Sequence, residues 1–267
     1  MDSSRPLVTI ITPSYNQGQF IEATIRSVLA QTYTNIEYIV LDAMSNDQTE
    51  KVLESYRGKI TKVVRESDKG QSDAIVKGFK MAHGDLVGWI NSDDVLYPNC
   101  VEELVKHYSD NPKVDLFVVP VIDIVDEAGE KTGVIKAPLI SRDFILRRNT
   151  EIIQPGSFFR RLALEQVGYF NSSLRFSMDL DLWLRLLKTG GFTNYSKVAM
   201  AGYREWGGTK TSTGGQRLLK ERRTMLFSHG AKWNDATIIS INIQLLKERL
   251  KNNQVLGPVV RWLRSRG

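Results

Sequence analysis

Cysteine is nearly absent: Cys100 is the single thiol in 267 residues. No disulfide framework can form within the chain, and no cysteine-based zinc knuckle either, which fits a reducing compartment. Long apolar runs are missing too. The longest, such as LFVVPVI at 116–122, fall far short of the roughly 20 residues a membrane span requires. The stretch MDSSRPLVTIITPS has no basic start leading into a long apolar core and a small-residue cleavage site, so it does not read as a secretory leader. A cytoplasmic protein is expected, soluble or resting peripherally on the inner face of the cytoplasmic membrane. Internal repeats and low-complexity linkers are absent as well, so nothing marks a firm domain boundary.

What is present is an ordinary globular composition, 42% apolar and 25% charged, enough for a sizeable core. The length suits one large α/β domain with an added C-terminal piece. The net charge of +6 is unevenly spread: residues 216–267 carry eleven Lys or Arg and three Asp or Glu, a local +8, which leaves −2 on the first 215. A non-basic body argues against a nucleic-acid groove through the core, and no nucleic-acid partner is expected. A tail acting alone on nucleic acid would show strongly salt-dependent affinity, lost on truncation.

The segments 7–11, 36–41, 60–66 and 85–94 read as four strands. Between them lie helical spacings: Ile21, Ile25, Val28 and Leu29; a helix opened by an Asp47/Glu50 capping box; SDAIVKGFKMAHG, stopping at Gly84; and Val101, Leu104, Val105 and Tyr108. Such alternation predicts a mostly parallel sheet with helices on both faces, and ligands sit beyond the C-terminal strand ends of such sheets. The polar loops 12–16, 42–47, 68–70 and 91–94 all fall at those ends. Further on, 114–138 reads as two strands joined at Glu127–Glu130, 149–171 as a strand and a short helix, and SMDLDLWLRLLKTGG as an amphipathic helix stopped by Gly190 or Gly191. TIISINIQLLKERLKN suits a final helix, though its alternation at 239–245 also suits a strand.

The sharpest chemical feature is GWINSDDVLYP at 88–98, which places Asp93 and Asp94 side by side where an apolar strand ends. Two adjacent carboxylates repel each other. They are tolerated in a solvated turn that caps the next helix, or they serve a hard divalent cation. Magnesium and manganese take one or two carboxylates and fill the remaining positions with phosphate oxygens and water. Spacing alone leaves both readings open.

The ordered segments VTIITPSYNQGQFIEATIRSVLAQTYTNIEYIVLDAMSNDQTEKVL, DKGQSDAIVKG and AHGDLVGWINSDD, continued by QPGSFFRR, VGYFNSSLRFSMDLDLWLRL and YREWGGTKT, resemble the family 2 glycosyltransferases over about residues 6–213. The resemblance implies a GT-A fold, with a nucleotide-binding part at about 6–110, an acceptor part at about 111–215 and a basic helical extension at 216–267. It implies a metal-dependent, inverting transfer of a sugar from a nucleoside-diphosphate sugar to a hydroxyl of a glycan or lipid-linked acceptor, as in polysaccharide or O-antigen assembly. The family's habit favours UDP, and the implied cofactor is Mn2+ or Mg2+. Carried over by position, Thr12, Pro13, Tyr15 and Asn16 line the nucleotide pocket, Asp42 bonds the base, and Asp68 and Lys69 lie near base and ribose. Asn91, Asp93 and Asp94 form the metal motif, Asp94 as the direct ligand and Asp93 nearer the ribose or a metal-bound water.

The same resemblance makes Asp179 the general base that removes the acceptor's proton. Asp181 is 200° away on a helix, so it cannot share that pocket and is expected to be held by Arg185, one turn on. Gln154, Ser157 and Arg175 fall in segments flanking the acceptor, while Trp183 reads as core. Four positions depart from the pattern. Met44 stands where Gly is general, Asn46 where Thr is usual, Asn91 where Asp is frequent and Trp206 where many members have His. An indole cannot ligate a metal, so Arg204 or Lys210 is the expected substitute at the phosphates. A nucleotidyltransferase of the same fold class lacks support, because no Gly-rich phosphate loop with a basic cluster follows the first strand. A non-catalytic nucleotide-sugar or glycan-binding module stays open. So does the tail: its cations with Leu256, Val259, Val260, Trp262 and Leu263 suit an anionic membrane surface, or a helix packed on the body or a partner copy.

Overall fold

A computed structural model describes residues 5–252, with the side chains of 210–212 and 251–252 excepted. In chain order its elements are β1 (Val8–Ser14), α1 (Ile21–Leu29), β2 (Ile36–Asp42), α2 (Thr49–Ser55), β3 (Lys62–Arg65), α3 (Gln71–Met81), β4 (Leu86–Trp89), β5 (Val95–Leu96), α4 (Cys100–Asp110) and β6 (Val114–Val118). They continue with β7 (Val121–Val125), β8 (Lys131–Lys136), α5 (Arg142–Arg147), β9 (Phe158–Arg160), α6 (Arg161–Val167), α7 (Met178–Thr189), β10 (Gly191–Asn194), β11 (Ala201–Arg204), α8 (Lys210–Ser228) and α9 (Ala236–Asn252). The tail residues Leu256, Val259, Val260, Trp262 and Leu263, on which the membrane-surface expectation rests, lie outside the described residues. No helix among the described residues is long and apolar enough to cross a membrane.

Seven strands form one sheet in the order β10-β6-β9-β4-β1-β2-β3, and β5-β11-β7-β8 form a second. In the large sheet β3, β2, β1 and β4 run parallel, as do β6 and β10, while β9 is inserted antiparallel between β4 and β6. The strands explain the sandwich. Successive side chains on a strand point to opposite faces, and here both faces are apolar. Ile39 and Leu41, Val87 and Trp89, and Leu116 and Val118 enter one core, which α3, α6, α7, α8 and α9 cover. Tyr38 and Val40, Leu86 and Ile90, and Phe117 and Val119 enter the other, under α1, α2 and α4. Gly88 on β4 is required by close approach: a Cβ there would fall 2.5 Å from the ring of Phe158 on β9.

Several local expectations are corrected. The first strand runs on through Pro13 to Ser14 instead of ending at residue 11. Helix α3 ends at Met81, three residues before Gly84, because Ala82 is already extended at φ −69°, ψ 135°. The segment 114–138 holds three strands, not two: Pro120, with no N–H for a ladder, separates β6 in the large sheet from β7 in the small one. Residues 149–157 form no strand, and only Phe158–Arg160 pair. Asp47 does serve the start of α2, accepting from Thr49 N at 2.9 Å, but Glu50 does not reciprocate and pairs with Arg65. Residues 236–252 are helix throughout. Trp183 is core, 1% exposed.

Candidate active site

The registers Ser14↔Asp42 and Asp42↔Arg65 place the ends of β1, β2 and β3 side by side, with β4 ending next to β1 at Ile11↔Trp89. The polar loops after them therefore meet along one edge. At β1, Thr12 is fully buried and shares a hydrogen bond with Tyr38 OH at 3.1 Å. Pro13 is buried beside it, whereas Tyr15 is 63% exposed. Asn16 is left-handed at φ 52° and ties two loops together. Its N–H donates to Ser45 Oγ at 2.8 Å, and its Oδ1 accepts from Asn46 N at 3.0 Å. Met44 keeps the left-handed backbone that a glycine would adopt freely, at φ 58°, at a cost of about 1–2 kcal/mol.

Asp42 is buried at the end of β2, and both its oxygens are held. Arg65 Nε donates to Oδ2 at 2.9 Å, and Ser45 Oγ donates to Oδ1. Asp42 and Asp68 line one small cleft with Leu41, Glu66, Ala74 and Lys77. Asp68 Oδ1 accepts from Gly70 N at 2.7 Å, shaping the turn into α3, and the exposed Lys69 donates its N–H to Asp73 at 3.1 Å. A cavity of about 310 Å³ between α2 and β3, lined by Leu53, Arg57, Ile60 and Arg65 among others, includes neither Asp94 nor Asp179.

The two adjacent acids lie in the loop between β4 and β5. Asp94 is 1% exposed. Its Oδ1 accepts from Arg204 N at 2.9 Å and its Oδ2 from Asn91 Nδ2 at 3.0 Å. Burial first, then the charge of Asp93, pushes its carboxyl well above the usual carboxylate range. Arg204 offsets this only in part. Its guanidinium donates to the carbonyls of Asp93, Asp126 and Glu127, which corrects the expectation that it reaches phosphates. The side chain of Lys210 is outside the described set. Trp206 donates its indole N–H to Asp93 Oδ2 at 3.0 Å and packs edge-on to Phe20. Two hard carboxylates, one buried and strained by its neighbour's charge, fit a divalent cation. Among the described residues no third His, Cys, Asp or Glu joins them, so ligand and water would complete the shell.

Asp179 is reached from this loop through the start of α3. Gln71 Nε2 donates to Asn91 Oδ1 at 2.7 Å, and its neighbour Ser72 sets its hydroxyl 2.6 Å from Met178 Sδ and 3.4 Å from Leu174 O. Asn91, three residues before Asp94, and Met178, next to Asp179, thus touch consecutive residues at the start of α3. Asp179 sits half-exposed in the first turn of α7, accepting from Leu180 N at 2.7 Å. Asp181 has the opposite fate: it is buried against Arg185 Nε at 2.9 Å and His229 Nε2 at 2.7 Å. Desolvation works against its charge, but the bonds from His229 and Arg185 win and hold its carboxyl below the usual range.

The three acceptor-side residues are not equivalent. Gln154 is buried, donating to Trp89 O at 2.8 Å while its Oε1 faces Asn91 Nδ2 at 3.4 Å, so it borders the acidic loop. Ser157 is fully enclosed and its hydroxyl donates to Ile153 O at 2.7 Å; it holds a turn. Arg175 is exposed, near Phe176. The sequence reading missed Arg65, Gln71, Ser72 and Glu221. Gln71 and Ser72 had a signal, since they directly follow the Asp68–Gly70 loop. Glu221 had none: it lies in the basic extension, yet it accepts backbone N–H groups from 175–177.

The family model described as Glycosyl transferase family 2 matches residues 9–168, which include every nucleotide-side residue above but not Arg175 or Asp179. A putative teichuronic acid biosynthesis glycosyltransferase of Bacillus subtilis is 31% identical over 209 residues, covering 76% of this chain and 81% of its own. Matches among Rickettsia glycosyltransferases are longer proteins, and the chain spans 31 to 59% of their length. Among solved structures, residues 1–349 of S. aureus TarS in complex with UDP-GlcNAc superpose with a TM-score of 0.70 at 18% identity, covering 94% of this chain and 74% of that one. A Pyrobaculum calidifontis mannosyltransferase in complex with GDP-Man and Mn2+ gives 0.61 at 20% identity, covering 96% and 73%. The shared fold is GT-A.

Proposed function

Because the chain belongs to glycosyl transferase family 2, we propose that it transfers a sugar from a nucleoside-diphosphate sugar to a hydroxyl of a glycan or lipid-linked acceptor, with inversion, in the assembly of a polysaccharide. What supports this is that the loop carrying the buried Asp94 and the half-buried Asp93 is tied to the start of α3 through Asn91 and Gln71, while Ser72 beside Gln71 touches Met178, the residue before Asp179. In this reading residues 6–110 bind the nucleotide, 111–215 receive the acceptor and 216–267 extend the domain. Thr12, Pro13, Tyr15 and Asn16 shape the pocket's floor and rim. Asp42 faces the base with Arg65 beside it, and Asp68 and Lys69 approach the ribose. A divalent cation bound at Asp94 and Asp93 would supply neutralisation of charge on the departing diphosphate. Asp179 accepts the proton of the acceptor hydroxyl, and the freed oxygen attacks the anomeric carbon from the face opposite the diphosphate. Gln154 and Asn91 border that region, and Arg175 stands exposed on the acceptor side.

The TarS and mannosyltransferase complexes hold different nucleotides, UDP-GlcNAc and GDP-Man. The family's habit favours a uracil donor. The deciding experiment is a thermal-shift screen of nucleoside diphosphates and their sugars, each with and without manganese or magnesium. One nucleotide giving a shift only with metal supports the proposal and names the donor class. A flat screen at millimolar ligand overturns it.

Trp206 gives a second, smaller prediction. Trp206→Phe keeps the ring against Phe20 but removes the donor to Asp93 Oδ2. A hydrogen bond to a charged group contributes about 1.5–3 kcal/mol, and this one is partly exposed. Metal-dependent nucleotide affinity is expected to change about three- to tenfold, read by calorimetry. An unchanged affinity would reduce the indole to packing.

A further inference from the structure

Three successive backbone N–H groups converge on one carboxylate just before α7. Glu221 of α8 accepts from Arg175 N at 2.9 Å through Oε2, and from Phe176 N at 2.7 Å and Ser177 N at 2.8 Å through Oε1. The start of a helix leaves its first N–H groups without intrahelical partners, and α7 has no side-chain cap of its own. Even Ser177 Oγ is buried without a partner. The N-cap donor Ser177 N and the two N–H groups of the turn before it are therefore satisfied by a helix more than forty residues later in the chain. An anion at a helix N-terminus also suits the positive end of its dipole, and consecutive N–H groups form an anion-binding concavity.

Helix α8 is a firm platform for this. Leu218, Leu219, Met225 and Leu226 bury into the same core as Leu180, Trp183 and Leu184 of α7. On its other side the 174–178 segment touches Ser72 of α3, through Leu174 O and Met178 Sδ. The turn leading to Asp179 is thus gripped from two directions: by Ser72, adjacent to the Gln71 that holds Asn91, and by Glu221. Release of the Glu221 grip leaves the turn's three N–H groups unpaired and Asp179's approach to an acceptor hydroxyl undefined. Misplacement of a reacting group by about 1 Å can cost about 10²-fold in rate.

We propose that Glu221 is a positioning residue for Asp179, acting through the 175–177 backbone. The proposal rests on Asp179 being the group that takes the acceptor's proton. The test uses the full chain with Glu221→Ala and Glu221→Gln. The amide oxygen of Gln still accepts the two N–H bonds made by Oε1. In Glu221→Ala, amide exchange at 175–177 is expected to speed up at least tenfold and kcat to fall about 10- to 100-fold, with metal-dependent nucleotide affinity within twofold of wild type. Glu221→Gln, which keeps the bonds from Phe176 N and Ser177 N but loses the one from Arg175 N, is expected to recover only part of both losses. Unchanged exchange and kcat in Glu221→Ala overturn the proposal, as does a fall in nucleotide affinity that parallels kcat. If the alanine variant does not fold, Glu221→Gln decides by itself: an intermediate exchange rate and kcat support the role, and wild-type values for both overturn it. A wild-type chain that binds donor but shows neither transfer nor donor hydrolysis refutes the role of Asp179 itself, and this proposal falls with it.

Discussion

Asp179→Asn is expected to reduce sugar transfer by about 10²- to 10⁴-fold, the range general-base assistance supplies, while donor binding and folding stay near wild type. The substitution is close to isosteric. The side-chain oxygen that accepts from Leu180 N is kept, so the first turn of α7 retains its local bond. What disappears is the charge, which favours a helix N-terminus by about 0.3–1 kcal/mol, and the ability to take a proton. The control lies two residues away. Asp181→Asn strikes a buried carboxylate paired with both Arg185 and His229. Breaking a buried pair leaves uncompensated charge, at a cost of about 3–5 kcal/mol. Residue 179 is therefore expected to move kcat with Tm shifted by no more than about 2–4 °C, and residue 181 to move Tm first. Single-turnover kinetics and calorimetry on the two variants check this. If Asp179→Asn retains wild-type transfer, the proton goes elsewhere.

How much of this was legible in the sequence depends on the range of the interaction. The strands and helices up to Asp110 were readable because each carries its own local signal: a short apolar run, a helical period, a polar loop. Asp93–Asp94 drew notice as an unexplained repulsion within one tetrapeptide, and the 200° separation of Asp179 and Asp181 is helix geometry alone. Their separate fates, one half-exposed and one buried against His229, bear that angle out. Legibility failed where partners are distant in the chain. Pro120 hands the strand pattern from one sheet to another, and nothing local announces a second sheet. Arg204 looked like a free cation for phosphates, but its guanidinium is spent on carbonyls more than 75 residues away in sequence. Met44 read as a departure from glycine, while the backbone keeps the left-handed turn regardless of side chain. Glu221 was invisible because its role is defined only by the three N–H groups that face it.

Asp94→Asn is the second large effect, and two signs must agree for it to hold. Asp94 is a carboxyl whose folded-state proton affinity is raised by burial and by Asp93. A group with a raised folded pKa binds its proton more tightly folded than unfolded. Its stabilising contribution is fully present below the unfolded value, about 3.9, and is lost as pH rises through the folded one. At neutral pH the metal-free protein therefore bears a penalty at this site, and a neutral amide of the same shape relieves it. Arg204 N–H keeps an oxygen acceptor, while the bond from Asn91 Nδ2 is lost, because Asn91 Oδ1 is already held by Gln71 Nε2. Metal-free Asp94→Asn is thus expected to melt no lower than wild type, and about 2–4 °C higher for each kcal/mol of relief. With manganese and nucleotide the order reverses. The wild type gains stability by mass action as ligand fills the site, whereas the variant has lost the charge that holds the cation. Its metal-dependent shift should vanish, and turnover should fall by at least about 10²-fold, the scale for removing one preorganised electrostatic contact at developing charge. A variant that melts lower without metal yet keeps its metal-dependent shift would show that Asp94 is a structural carboxylate bound to Arg204 N–H, with the cation held elsewhere.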